Sequence, residues 1–155
     1  MTDVGALGFE NCTFDMTPYD DIYSLTEVSW ADNPPFFLNC IFTGREKSIF
    51  MNLNGDVRYS NIQGGYPGEG NIDADPLFVD PDHGDYHLQR GSPCIDSGTD
   101  TGLDHDFDGN FRPIGDYDMG AFEFPFLRSD INGSGKVDST DLLILQEDWR
   151  KVSGI

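Results

Sequence analysis

Three short stretches repeat one spacing of apolar and polar positions: GFENCTF from residue 8, FFLNCIF from residue 36 and VRYSNIQ from residue 57. Aligned, Phe9, Phe37 and Val57 fall in one column. Cys12, Cys40 and Ser60 form a second, and Phe14, Phe42 and Ile62 a third. Successive members of the third column lie 28 and then 20 residues apart. Such spacings suit stacked structural repeats, the longer one carrying an extra loop at TPYDD. On one unbroken strand Phe9 and Cys12 would face opposite sides, because faces alternate with period two. Both point inward only if the chain turns at Asn11, and likewise at Asn39. Asparagine accepts the left-handed backbone that such a corner needs. EVSW and SIFMN fit a further strand of the second and third repeats, with NPP and NGD as the intervening turns. Before residue 139 no long helical periodicity appears. The pattern predicts an all-β fold, a parallel β-helix with small Cys/Ser and large Phe/Ile positions stacked in columns. Cys12 and Cys40 are then stacked core residues, neither bridged nor ligands.

Composition sharpens this picture. The 155 residues suffice for one domain with a small appendage, and 13% aromatics argues against disorder. The net charge of −19 is unevenly spread: residues 1–127 hold 23 acids and 5 bases, residues 128–155 hold 5 acids and 4 bases. The shift marks a boundary, giving a body over 1–127 and an appendage over 128–155. An acidic body repels nucleic acid and anionic membrane, so neither is expected as a partner, and no stretch reaches transmembrane length. Divalent cations and neutral glycans remain compatible. The opening residues lack the basic and apolar regions of a signal peptide, so the chain is expected to be either cytosolic or a fragment of something longer. Three cysteines without CxxC spacing indicate no zinc site and allow at most one internal disulfide.

Between residues 57 and 124 the pieces DADPLF, DYHL, GSPCIDSG and DMGAFEF follow one another in order. This run resembles the C-terminal end of secreted bacterial right-handed parallel β-helix repeat proteins, of the pectate-lyase-like kind. The resemblance implies the last coils of a β-helix closed by an irregular cap, an extracellular or cell-surface location, and a terminal attachment module. A cap must cover unpaired strand edges and an open apolar column. Leu77, Phe78, Val79, Tyr86, Leu88, Ile95, Met119, Phe122 and Phe124 are the candidates for that cover. Within it, DHDFDG sets Asp104, Asp106 and Asp108 at alternate positions before Gly109, like the opening of a calcium loop. The twelfth position would be Gly115, which has no carboxylate, although Asp116 and Asp118 are near.

The clearest chemistry lies in DINGSGKVDSTD, from residue 130. A calcium loop of the EF-hand kind takes ligands at positions 1, 3, 5, 7, 9 and 12, with glycine at 6. Counting from Asp130 gives Asp130, Asn132, Ser134, the Lys136 carbonyl, Asp138 and Asp141, with Gly135 at the bend. Leu142, Leu145 and Trp149 then share one face of an exit helix. Loop and exit helix, with Asp at position 12, resemble one repeat of a type I dockerin. That resemblance implies calcium as cofactor and a cohesin-like scaffold or cell-surface partner. A dockerin carries two such repeats and this chain shows one, while the neutral Ser134 weakens the site.

No catalytic site is expected within the chain. The resemblance would allow a polysaccharide lyase or glycoside hydrolase, with polysaccharide as a further partner. Arg45, Lys47 and Arg58 are the only bases in the repeats, and none is paired with acids at a telling spacing. His83, His87 and His105 read as solvated residues of turns. The sequence therefore supports an anchoring terminus first. The C-terminal part of a carbohydrate-active enzyme, with its chemistry in upstream coils, is the alternative.

Overall fold

The computed structural model describes residues 7–16, 34–44, 55–125, 139–144 and 146. The chain divides into two compact units, 1–124 and 125–155. The first unit is built mostly of short strands. In chain order these are β1 (Gly8–Glu10), β2 (Thr13–Asp15), β3 (Phe36–Leu38), β4 (Ile41–Thr43), β5 (Asp56–Arg58), β6 (Asn61–Ile62), β7 (Phe78–Asp80) and β8 (Asp85–Leu88). The expected strands at EVSW and SIFMN lie outside the described residues, as does the TPYDD loop.

Strands β1, β3 and β5 form one parallel sheet, and β2, β4 and β6 a second. Phe9 pairs with Phe37 and Phe37 with Val57; Phe14 pairs with Phe42 and Phe42 with Ile62. These are the columns that the sequence pattern predicts. Each pair of strands is joined by a corner residue in the left-handed region: Asn11 at φ 51°, Asn39 at φ 53° and Tyr59 at φ 48°. The turn brings residues on either side of it into one interior. Phe37, Cys40, Phe42, Val57 and Ile62 are buried there, with Phe9, Cys12 and Phe14 against them. Phe9 stacks on Phe37 with centroids 5.0 Å apart, and Phe14 on Phe42 at 4.7 Å. Each such pair is worth about 0.5–1.5 kcal/mol beyond its buried area, and it rewards one register only. Ser60 occupies the third small position, where its hydroxyl accepts the Cys40 N–H at 3.0 Å and donates to the Arg58 carbonyl at 2.8 Å.

The last repeat is closed by the segment that follows it. Tyr59 N–H donates to the Glu69 carbonyl, Ile62 N–H to Ile72, and Ile72 N–H to Ser60. The Asn71 side chain accepts the Ser60 N–H at 3.0 Å and donates to the Val57 carbonyl at 2.9 Å. Tyr66 packs on the interior. The edge groups of β5 and β6 thereby find partners, as buried backbone must.

The remainder, expected to cover the open end of the column, lies instead against the flank of the second sheet. Ile41 alternates with the inward Cys40 and Phe42, so its side chain leaves the sheet on the other side. There it forms a second core with Phe78, Leu88, Cys94 and Met119, flanked by Ile72, Tyr86, Ile95 and Phe124. Strands β7 and β8 are an antiparallel pair joined by a 3-10 turn at Pro81–His83. Val79, on the opposite face from Phe78, is exposed, and so is Leu77, whose φ of 53° turns it outward. Gly120 sits where a Cβ would stand 2.7 Å from Ile41 Cδ1, and its φ of 96° also favours glycine.

The corner amides bind this flank segment. Asn39 Nδ2 donates to the Thr99 carbonyl at 2.6 Å and its Oδ1 accepts the Thr99 N–H at 2.8 Å. Asn11 donates to the Asp118 carbonyl at 3.2 Å and accepts from the Thr101 hydroxyl at 2.9 Å. Asn39 is fully buried, so removing its side chain leaves two backbone groups without partners and forces alanine into a left-handed backbone. Asn39→Ala is expected to lower stability by about 2–4 kcal/mol in urea unfolding. Asn39→Gly should lose less, because glycine removes the backbone strain and leaves only the hydrogen-bond loss. Equal losses for the two would assign the whole effect to the amide.

Candidate functional site

The loop expected to hold calcium lies largely outside the described residues: Asp130, Asn132, Ser134, Lys136 and Asp138 are among those not described. The sixth expected ligand, Asp141, falls in the helical residues 139–144 and is 2% exposed. An ionised carboxylate is not buried without compensation, since desolvation alone costs several kcal/mol. Asp141 has such compensation within the chain, and it stands at the position that the loop spacing assigns to the twelfth ligand. Burial also corrects one expectation. Leu142 was placed on the packed face, yet it is 55% exposed, as is Leu143 at 58%. Asp141 takes the inward position, and Leu142 stands about 100° further round the helix. Trp149 is not among the described residues, and nothing is described of the Leu145 side chain.

The second acidic run does not gather into a metal site. Asp106 Oδ1 accepts the N–H groups of Asp108 at 3.0 Å and Asn110 at 2.8 Å, while Oδ2 accepts the Glu123 N–H at 3.0 Å. Asp104 pairs with His105, and Asp108 with His87. Asp116 offers its N–H to Asp96, and Asp118 is engaged elsewhere. Among the described residues no group of three or more His, Cys, Asp or Glu side chains is arranged to hold a metal ion. The alternation of DHDFDG follows from turn formation. A carboxylate that accepts an N–H two residues on fixes the bend.

Of the residues weighed for catalysis, Arg58 is paired with Asp56 at 2.8 Å on the surface, and Arg45 and Lys47 lie outside the described residues. His83 pairs with Asp80. His87 is partly exposed but also held in place. Its Nδ1 lies 2.6 Å from Asp85, its Nε2 lies 2.9 Å from Asp108, and its ring stacks on Phe122 with centroids 4.0 Å apart. Burial works to lower its pKa, but the two carboxylates outweigh it and raise the value above that of a free histidine. The strand alternation that sets Asp85 and His87 on one side was visible in DYHL; Asp108 gave no signal.

Three buried ionisable residues were also missed. Arg112 Nε lies 2.9 Å from Glu123 Oε2, with both side chains almost wholly buried, and an Arg112 terminal nitrogen donates to the Gly120 carbonyl at 3.1 Å. The Arg112–Glu123 contact is Coulombic, with the N–H off the line to the carboxylate. Burial pushes Glu123 upward against the pull of the Ile114 N–H and Arg112. Asp118 accepts the N–H groups of Asp96 at 2.7 Å and Phe124 at 2.6 Å, yet burial raises it to about 7. Arg112 is the only base between residues 91 and 127, which was the available sign of a structural role.

A cleft of about 640 Å³ opens beside the second sheet, lined by Asp15, Thr43, Asp75, Phe78, Asp82 and Tyr86 among others. The Tyr86 hydroxyl donates to Asp15 at 2.7 Å. The lining offers acceptors and aromatic surface but no basic side chain.

No helix among the described residues is long and apolar enough to cross a membrane. No family model, curated protein or solved structure matches the chain.

The His87 contacts make stability depend on pH with a definite sign. Because its folded pKa is raised, its contribution is complete below the unfolded value of about 6.5 and is lost as pH rises through the higher folded value. His87→Phe keeps a ring on Phe122 and removes both carboxylate contacts. The stability gap between wild type and this variant should be widest below about pH 6 and should narrow by about pH 8. A gap that stays constant across that range would show that the contacts are not charge-dependent.

Proposed function

We propose that this chain is the C-terminal end of an extracellular right-handed parallel β-helix protein, closed by its own cap and carrying a dockerin-like calcium repeat that attaches it to a cohesin-like scaffold or a cell surface. The observation that carries the β-helix reading is the pair of parallel sheets in unshifted register, with left-handed corners at Asn11, Asn39 and Tyr59. Sequence-adjacent units that pair in parallel, with small and large residues in fixed columns, are what a solenoid needs. The calcium reading rests on the oxygen ligands at 130, 132, 134, 136, 138 and 141, and draws support from the buried Asp141. Three carboxylates brought to one point repel each other, and a short helix is marginal in water. A bound cation relieves the repulsion and orders the loop.

Nothing in the described geometry recommends catalysis by this chain. Its one described base in the repeats is paired with Asp56. The alternative, the end of a polysaccharide-degrading enzyme, draws on the acidic and aromatic cleft beside the second sheet. In that case the cleft belongs to a longer groove whose reacting groups stand upstream.

Calorimetric titration of the whole chain decides the calcium reading. Binding is expected between about micromolar and millimolar, weakened by Ser134, with magnesium a poor substitute because it demands a tighter octahedral shell. Asp130→Ala and Asp141→Ala should each reduce affinity at least tenfold. Absence of calcium-dependent heat up to about 10 mM, beyond the weakest extracellular sites, would remove the metal site. With calcium present, pectin, alginate and xylan should not be turned over. Specific cleavage abolished by one Asp or Arg substitution would favour the enzyme reading.

A further inference from the structure

Cys12 and Cys40 are free thiols at equivalent positions of neighbouring repeats, each following a left-handed asparagine. The register on both sides fixes their alignment, with Glu10 opposite Leu38 before the corner and Thr13 opposite Ile41 after it. In-register residues on neighbouring parallel strands stand about 4.8 Å apart. That lies within the span of about 4.4–6.8 Å that a disulfide bridges between Cα atoms. The Cys40 sulfur is turned toward the preceding repeat. Cys40 Sγ lies 3.3 Å from its own Leu38 carbonyl and 3.5 Å from the Phe9 carbonyl of the repeat above. Cys12 Sγ lies 3.2 Å from the Glu10 carbonyl. The neighbouring thiols act on each other in opposite directions, Cys12 being brought down to about 7 and Cys40 held up. Cys12 is half-buried and Cys40 fully buried, so the thiol that ionises first is also the reachable one. Cys94 is outside this pair; burial raises it to about 11, and its sulfur accepts from Asn61 at 3.1 Å.

We propose that Cys12 and Cys40 form a dithiol–disulfide pair, closed by exchange with a low-molecular-weight disulfide, that staples two neighbouring repeats together. The Cys12 thiolate attacks one sulfur of the external disulfide and expels a thiolate, leaving a mixed disulfide on Cys12. Cys40 then loses its proton to the expelled thiolate or to water and attacks the Cys12 sulfur. The Cys12–Cys40 bond forms and a second small thiolate leaves. Two protein thiols are oxidised, and one external disulfide is reduced to two thiols. The staple is independent of the calcium reading, because it lies wholly in the first unit.

The sequence provides a direct assay. Arg45 is the first basic residue, so trypsin leaves both cysteines in one peptide, residues 1–45. The full-length chain is incubated folded with oxidised glutathione, unfolded, alkylated with iodoacetamide and digested. The expected product is peptide 1–45 without alkylation and two hydrogens lighter, converted to the doubly alkylated form by prior reduction. The oxidised chain should unfold at higher urea than the reduced one. Cys12→Ser should lose both effects. Serine already occupies the equivalent position at residue 60, so this variant is expected to fold, and the wild-type peptide is diagnostic without it. Glutathione retained on Cys12 with Cys40 still alkylatable would overturn the proposal. So would a bridge that includes Cys94, or peptide 1–45 doubly alkylated after exposure that fully oxidises the unfolded chain.

Discussion

The architecture turns on one requirement of the corner residues. Two parallel sheets can enclose a shared interior only if the chain bends sharply between them, and the bend demands a left-handed residue. Asparagine meets the backbone demand and creates a second one, because its amide is carried into the protein and must be hydrogen-bonded there. Thr99, Thr101 and Asp118 supply those bonds. The position of the whole segment after β8 follows from that need. It lies where the corner amides are, on the flank, and it brings Met119 and Cys94 onto Ile41 as it does so.

This explains which parts were readable from sequence. The columns Phe9–Phe37–Val57 and Phe14–Phe42–Ile62 were legible because a stacked repeat imposes the same side-chain choice at the same register. The corners at Asn11 and Asn39 were legible because two inward residues three apart cannot share a strand face. The third corner falls at Tyr59, a residue with no such signature. The flank position of the later segment was not legible, because its contacts to the corners are largely carbonyls and N–H groups, which any residue supplies. Ile41 was the available clue, an isoleucine between two inward positions, too apolar for a surface. In the C-terminal helix the packed face was misjudged at Leu142. Apolar periodicity took no account of a buried carboxylate at Asp141.

The surplus of acid has a local explanation. Asp75, Asp100 and Asp106 each accept an N–H two residues further on, fixing bends in stretches without regular structure. Others hold histidines, and Asp118 and Glu123 are buried as acceptors of backbone N–H groups. A segment with few ladders has many backbone donors to satisfy, and carboxylates satisfy them at short range. The negative charge of the body is in this sense a by-product of building it from turns.

The bonds from Asn11 to Asp118 and from Ala121 to Thr13 join residues 107 and 108 positions apart. During synthesis the first corner's side chain therefore lacks its native partners until residues 101 and 118 have left the ribosome. Contacts of such long sequence separation form late, after the entropy of closing a large loop has been overcome. The early repeats must meanwhile persist with the corner amides and the flank around Ile41 open to water and to other chains. The same segment that completes the native structure ends that exposure.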